Sequence, residues 1–317
     1  MAGEEAEGEL KDQEDENPEL TSQFGARLGS PPRWAAVGGP PTRGTAVTEP
    51  EGLIAELWYE TAPDLADPLL LEGLRAVSPG TEVQDGSLVV PYDGGELAPR
   101  PAGDDGGTAP RRPLVSLVLP GSSLDAPGKS LPDTSQTWDW PGAEEALAPA
   151  RASLLVVEMY GSGYTARDRA AALVGVVRAL SVATRPVALS WPTSQRVSDP
   201  EEPAADGLGG LLNVRLFSVS DDEDELVMDT RGLAPFGLPD LQVHFRDLEP
   251  GRLGALLYAT AGYLLEEGDV LGEGHTISGI AADDRWTCHH EDSLIGPPRR
   301  VVDIDPGDPY AAGKRAR

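Results

Sequence analysis

Three consecutive segments decide the fold class: SLLVVEM at residues 153–159, TARDRAAALVGVVRALSVA at 165–183 and VALSW at 187–191. The first and third are short apolar runs, which are typical of buried β-strands. The middle segment is long and apolar, and it opens with Thr165 and Asp168 at the spacing of a helix capping box. A strand, a helix and a strand in this order place a helix against a β-sheet.

The same mixture of patterns continues on both sides. Residues 53–77 predict a strand and then a helix, and residues 213–230 predict a β-hairpin. Apolar and polar residues alternate at 241–246, which indicates a strand with one face in water. Residues 250–267 predict another helix. We therefore predict the α+β class, with mixed sheets and helices packed on one face, and two ferredoxin-like βαββαβ units are one such arrangement.

Changes in composition divide the chain into four parts. Residues 1–50 combine an acidic leader with a Gly- and Pro-rich linker, and we expect disorder because so few apolar side chains cannot offset the entropy of ordering. Residues 51–200 and 211–306 form a first and a second α+β unit, separated by a polar run that contains Gly and Pro. Residues 307–317 are expected to be a flexible tail.

The charge and cysteine content exclude several classes of function. The 317 residues include 53 acidic and 25 basic side chains, a formal net charge of −28. A partner with a phosphate backbone or an anionic membrane requires a basic face, so neither nucleic acid nor membrane is an expected partner. The single cysteine, the lack of a secretory signal and the shortness of the apolar runs predict a cytoplasmic protein.

Two tryptophan motifs provide the candidate binding residues. The motif Trp138-Asp139-Trp140 precedes a predicted helix, and the motif at residues 191–195 begins with Trp191 at the end of a predicted strand. Binding sites are common at such junctions, and each indole ring offers a large contact area and one hydrogen-bond donor. Asp139 and Ser194 would orient a ligand in this groove. The alternative is that each indole covers the end of a hydrophobic core.

Arg299 is a further candidate, because it stands just before the last predicted strand in a very acidic chain. A guanidinium group can bind a ligand carboxylate or phosphate through two parallel hydrogen bonds. It can equally pair with the protein's own aspartates and glutamates, and that pairing is the preferred interpretation.

Three residues near the C-terminal end would support a metal site. Cys288 and His290 would point the same way in a strand, and His275 would approach them if its segment packs nearby. Thiolate and imidazole groups are ligands that Zn²⁺ accepts. The competing interpretation is a buried thiol beside polar residues on the wet face of a strand.

Several short motifs resemble one protein family. They consist mainly of Trp, Gly and Pro residues and lie at residues 136–141, 186–195, 237–241, 264–274 and 298–303. Together they resemble the bacterial proteins classified as domain of unknown function 4261, over roughly residues 53–306. The resemblance implies no particular reaction, ligand or cofactor. It does imply that the two α+β units belong to one recurring domain.

These observations favour binding over catalysis. The chain has no Walker phosphate loop, no Gly-x-Ser-x-Gly elbow, no His-Glu-x-x-His motif and no pair of Cys-x-x-Cys motifs. The leading hypothesis is a non-catalytic accessory, regulatory or immunity-type protein that binds a protein or small-molecule partner without a cofactor. Two alternatives remain: a metal-dependent hydrolase or other enzyme that uses Zn²⁺ at His275, Cys288 and His290, and a mimic of nucleic acid formed by the acidic residues 1–20.

Overall fold

The computed structural model describes residues 52–92, 114–161, 164–201, 208, 210–219, 225–281 and 283–313, apart from residues 122, 125 and 127. The predicted leader at 1–50 and the acidic hairpin tip at 220–224 lie outside the described residues. Strands and helices are both abundant and form two sheets with helices packed against them, so the predicted α+β class is confirmed.

The first sheet contains seven strands in the spatial order β2-β3-β4-β5-β1-β6-β7. They are β1 (Ile54–Tyr59), β2 (Glu82–Gln84), β3 (Ser87–Pro91), β4 (Val115–Pro120), β5 (Ala152–Met159), β6 (Ala188–Trp191) and β7 (Arg196–Ser198). Every neighbouring pair is antiparallel, so this sheet is not mixed as predicted.

Within the described ranges, three α-helices accompany the first sheet: α1 (Pro68–Val77), α2 (Ala143–Leu147) and α3 (Ala166–Thr184). The apolar faces of α1 and α3 share a core with β1, β5 and β6. The short helix α2 instead packs with Trp58 and Ala188 in a separate cluster. Alternate residues of a strand point to opposite faces, so helices cover both faces of this sheet and not one.

The start of α3 confirms the predicted cap at Thr165, and α1 is capped in a similar way. The side chain of Asp67 accepts a hydrogen bond from Leu69 N, and Thr165 Oγ1 accepts one from Asp168 N at 3.1 Å. These bonds satisfy backbone donors that have no partner inside the helix.

The second sheet has the spatial order β11-β12-β13-β10-β9-β8. Its strands are β8 (Asn213–Ser218), β9 (Leu226–Arg231), β10 (Asp240–Phe245), β11 (Thr276–Ser278), β12 (Arg285–Asp292) and β13 (Arg300–Asp305), and helix α4 spans Pro250–Glu267. Strand β13 runs parallel to β10 and antiparallel to β12, so this sheet is mixed. The ferredoxin-like arrangement is not confirmed. It requires two helices in each unit, and α4 is the only α-helix among the described residues of the second unit.

Strand β10 departs from its prediction in one respect. Leu241, Val243 and Phe245 enter the core beside α4, as the alternation indicates. Asp240 and Gln242 point to the opposite face, but they are buried and not in water. The cause is the segment between β12 and β13, which folds over this face and donates the backbone N–H of Leu294 to Gln242 Oε1.

The two sheets are separated along the chain between Ser198 and Asn213, while the division into separate domains stays a prediction. Residues 307–313, which belong to the predicted flexible tail, run beside β10, where Arg246 N donates a hydrogen bond to Tyr310 O. Within the described part of the chain, no helix combines the length and the apolar character needed to cross a bilayer.

Candidate functional site

A cleft of about 450 Å³ opens beside the first sheet. Glu56 and Trp58 of β1 and Ser190 of β6 line it. The residues that alternate with them, such as Leu57, enter the core under α1 and α3, so the cleft lies on the other face of the sheet. Small-molecule sites in proteins have volumes of roughly 300–1,000 Å³, and this cleft falls in that range.

Two indole rings form fixed walls of the cleft. Trp58 Nε1 donates a hydrogen bond to Ser190 Oγ at 2.9 Å, and Trp191 Nε1 donates one to Ser198 Oγ at 2.9 Å. Both tryptophans are almost fully buried. Their positions are therefore set by packing and by one hydrogen bond each, so the walls are already in place for a ligand.

A carboxylate lies among these apolar groups. Glu56 is 7% exposed, and its Oε1 accepts hydrogen bonds from Ser153 Oγ at 2.6 Å and from Lys129 Nζ at 2.5 Å. The same ammonium group lies 4.9 Å from the centre of the Trp58 ring, within the range of a cation–π contact. Glu56 is a site residue that the sequence analysis missed. The available signal was a single charged residue inside the apolar run at 53–59.

The outer wall of the cleft joins the first unit to the edge of the second sheet. Gln136 lines the cleft, and its Oε1 accepts hydrogen bonds from Trp138 Nε1 at 3.2 Å and from Leu216 N of β8 at 3.1 Å. Arg196 of β7 also lines the cleft and donates to Leu212 O at 3.2 Å. The cleft is therefore located at the junction of the two units.

Gln195 makes the third connection of this kind. It lies in the turn between β6 and β7 with a φ of 58°, in the left-handed region that few residues other than glycine adopt. Its Oε1 accepts a hydrogen bond from Arg215 Nη1 at 2.6 Å, and its carbonyl oxygen accepts one from Asn213 Nδ2 at 3.2 Å. Two contacts to β8 therefore hold this turn in place.

Behind Gln195 lies a buried network of charged side chains on β8, β9, β10 and the segment before β13. Arg215 pairs with Asp229, with Nε–Oδ1 at 2.9 Å and Nη2–Oδ2 at 2.5 Å. Arg299 Nη2 lies 2.7 Å from Asp229 Oδ2, and Arg299 Nε lies 2.9 Å from Asp240 Oδ2. Both aspartates are completely or almost completely buried. Such buried charges are tolerated only when they are paired.

The network also perturbs the acid–base behaviour of its members. Burial raises the pKa of Asp240 above its ordinary value, and the positive charges of Arg299 and Arg231 offset this only in part. Burial lowers the pKa of Arg299, but the attraction of Asp229 and Asp240 outweighs that effect, so the pKa is raised overall. Arg299 therefore stays charged, and its partners are the protein's own carboxylates.

The remaining predicted binding residues occupy different places. Trp191 lines the cleft, and Asp139 forms an ion pair with the lining residue Arg196. Trp138 packs against the core of the second sheet, while Trp140 packs beside α2. The structure does not bring the three indole rings into one groove, because each ring packs against a different hydrophobic cluster.

Two predicted residues are used internally. Ser194 is fully buried, and its hydroxyl donates to the backbone oxygens of Gly210 and Trp191. Arg299 also donates to the carbonyls of Ile295, Pro297 and Thr230, in addition to its ion pairs. Both side chains therefore connect segments of this chain. The contacts of Arg299 agree with the interpretation that it pairs with the protein's own aspartates.

The predicted proximity of His275 and Cys288 holds for their backbones, since Cys288 N donates a hydrogen bond to His275 O at 2.8 Å, but the side chains of the three residues in the metal hypothesis do not converge. Cys288 lies in the core of the second sheet, where burial raises the pKa of its thiol. His290 Nε2 is 2.7 Å from Leu271 O, and His275 Nδ1 accepts a hydrogen bond from Gly272 N. Among the described residues, no group of three or more His, Cys, Asp or Glu side chains is arranged to hold a metal ion.

Comparison with known proteins gives one family match, which lies within the second sheet. The family model described as a domain of unknown function (DUF4261) matches residues 229–305. The resemblance to this family is therefore confirmed for this segment. The DUF4261 segment runs from Asp229 to Asp305 and so includes Asp240 and Arg299 of the buried network. No curated protein and no solved structure gives a significant match to the chain.

Proposed function

We propose that this protein is a binding module without a reaction of its own, and that its ligand is a small polar molecule held in the cleft at the junction of the two units. The observation that carries the proposal is the cleft itself, which has the volume of a small-molecule site and rigid indole walls. A small-molecule ligand is preferred over a protein partner because the recognition groups lie inside a cleft and not on a flat surface.

The lining also offers hydrogen-bonding groups to a ligand. Within the described part of the chain, the Nε2 amide groups of Gln136 and Gln195 have no acceptor, although the Oε1 atoms of both are engaged. Both residues line the cleft. Polar groups of this kind fix the orientation of a ligand inside a largely apolar site.

The same lining argues for binding in preference to catalysis. Among the described residues, the lining contains no histidine or cysteine, and the carboxylate of its Glu56 is already engaged by Lys129 and Ser153. The buried aspartates and arginines of the network are held by ion pairs and hydrogen bonds behind the cleft wall. A ligand that contacts Gln136 and Gln195 would instead affect the hydrogen bonds by which these two residues connect the first unit to β8 of the second sheet.

A thermal-shift screen of metabolites tests the proposal, because a ligand that binds only the folded state raises its stability by about 2.7 kcal/mol at 100 times the Kd. Leu131 lines the cleft and is exposed, so Leu131→Trp should fill the cleft with little effect on folding. Leu69→Trp is the matched control, since Leu69 is an exposed residue of α1.

We expect compounds that stabilise the wild type to lose their effect in Leu131→Trp and to keep it in Leu69→Trp. Equal shifts in the two variants would place the binding elsewhere and contradict the proposal. A complete absence of stabilising compounds for the wild type would contradict it as well.

A further inference from the structure

We propose that the ligand of this cleft is a small organic cation, carrying an amine or guanidinium group, and that it binds at Glu56 and Trp58 where the side chain of Lys129 now lies. This inference rests on the proposed function, because it names the chemical class of ligand for the same cleft.

The first argument is the state of the Glu56 carboxylate. Its side chain is 8% exposed, and Oε1 receives the hydrogen bonds from Lys129 and Ser153. Within the described part of the chain, no donor contacts Oε2. A carboxylate so deeply buried requires compensation by positive charge and by hydrogen bonds to both oxygens. Glu56 Oε2 can therefore accept a hydrogen bond from a ligand that enters the cleft.

The second argument is the aromatic face beside it. An ammonium group that contacts both a carboxylate and a tryptophan face is held by two attractions that favour organic cations over neutral molecules. The Lys129 ammonium does this now, at 2.5 Å from Glu56 Oε1 and 4.9 Å from the centre of the Trp58 ring. The ring is held in place by Ser190, so its face does not depend on Lys129.

The third argument concerns the segment that carries Lys129. It lies between β4 and α2, outside any helix or strand, and the lysine side chain is 23% exposed compared with 8% for Glu56. The acceptor is thus part of the sheet, while the cation reaches it from a loop. A loop side chain can withdraw without disturbing the strands of the sheet, so Lys129 can act as a tethered occupant that a ligand replaces.

The fourth argument is the charge of the surroundings. Glu56 and Asp133 line the cleft, and the lining arginine, Arg196, is already paired with Asp139. The whole chain carries a formal net charge of −28, so the long-range field attracts cations and repels anions. An anionic ligand would meet unfavourable charge both on approach and in the cleft.

Isothermal titration calorimetry with three molecules of similar length tests the inference: putrescine as the cation, 1,4-butanediol as its neutral counterpart and succinate as the anion. Agmatine adds a guanidinium group. The proteins are the wild type, Lys129→Ala, which removes the tethered occupant, and Lys129→Arg, which keeps a cation on the loop. The double variant Glu56→Gln/Lys129→Ala removes the carboxylate charge.

We expect putrescine or agmatine to bind Lys129→Ala about tenfold more tightly than the wild type. This factor corresponds to a Lys129 side chain that occupies the site about nine-tenths of the time in the wild type. Lys129→Arg should resemble the wild type, and the double variant should lose the binding. Urea unfolding of the double variant separates lost binding from lost folding.

Other outcomes overturn the inference in distinguishable ways. Equal binding of 1,4-butanediol, or binding that survives Glu56→Gln in a folded protein, would show that the cleft does not select charge. If cations fail to bind while other compounds still stabilise the wild type and not Leu131→Trp, the ligand class is wrong and the proposed function stands. If no compound binds either the wild type or Lys129→Ala, both are wrong.

Discussion

Gln195 Oε1 accepts a hydrogen bond from Arg215 Nη1 at 2.6 Å, so a side chain that lines the cleft contacts an arginine of the buried ion network directly. Arg215 in turn pairs with Asp229, to which Arg299 is also bound. The contact therefore connects the β6–β7 turn of the first sheet to the interior of the second. A ligand that reorients Gln195 would therefore change the contacts of both the β6–β7 turn and the buried ion network.

The first prediction concerns this contact. Gln195→Ala removes the acceptor of Arg215 Nη1 and should lower the free energy of unfolding by about 1–3 kcal/mol, the cost of leaving a largely buried donor without its partner. Urea unfolding measures the change. Gln84→Ala on the exposed strand β2 is the control and should stay within about 0.5 kcal/mol of the wild type. Similar losses in both variants would contradict a special role for Gln195.

A second prediction compares two neighbouring arginines. Arg299→Ala leaves Asp229 and Asp240 buried without one of their cations, and we expect a loss of about 3–5 kcal/mol in unfolding free energy. Arg300→Ala removes only an exposed pair with Asp292, which is worth roughly 0–1 kcal/mol. Chemical denaturation of the two variants checks the difference. The prediction is wrong if Arg300→Ala costs as much as Arg299→Ala.

A third prediction is a dependence of stability on pH. The hydrogen bond from His290 N, followed by the contact with His289 Nδ1, holds the pKa of Glu273 below its ordinary value of 4.5. A carboxyl group with a lowered pKa in the folded protein stabilises it fully above the ordinary value, and this contribution is lost as the pH falls through the lower one. The stability difference between wild type and Glu273→Gln should therefore shrink below about pH 4.5.

Unfolding curves recorded between neutral and acidic pH provide this measurement. His289→Ala serves as the comparison, because it keeps the bond from the backbone of His290 and should reduce the effect only in part. Parallel pH profiles for wild type and Glu273→Gln would show that these contacts do not perturb the carboxyl group.

The fourth prediction addresses the metal hypothesis. Because Cys288 is buried in the core and His290 and His275 contact backbone groups, these three residues are not arranged as a coordination sphere. We expect treatment with EDTA to leave the melting temperature unchanged, and elemental analysis to give the same metal content for wild type and His290→Ala. Stoichiometric zinc that disappears in His290→Ala would restore the metal-dependent enzyme as the better hypothesis.

Local sequence signals predicted most of the regular structure, because they act within a few residues. The Asp67 cap of α1 and the Thr165 cap of α3 are satisfied by backbone groups of the same turn. The strands β2 and β7 were missed, since each has three residues and no room for a hydrophobic alternation. Such strands exist because a neighbour in a hairpin pairs with them.

The site was harder to predict, because it depends on which strands become neighbours. Trp191 was found from its position at the end of a strand. Glu56 became a cleft residue only through the pairing of β1 with β6, which places it opposite Ser190. Gln242 belonged to the alternating pattern that predicted a solvent-exposed face, yet a segment more than 50 residues further along the chain covers it and the neighbouring Asp240.

The position of β13 has a consequence for synthesis. Among the described residues this strand is the last along the chain, but it lies inside the second sheet between β10 and β12. All seven strands of the first sheet have been made once residue 198 has left the ribosome, whereas the second sheet stays interrupted until residue 305 emerges. A nascent chain must therefore protect the unpaired edges of β10 and β12 from wrong partners during that interval, which makes the second sheet more exposed to aggregation during translation than the first.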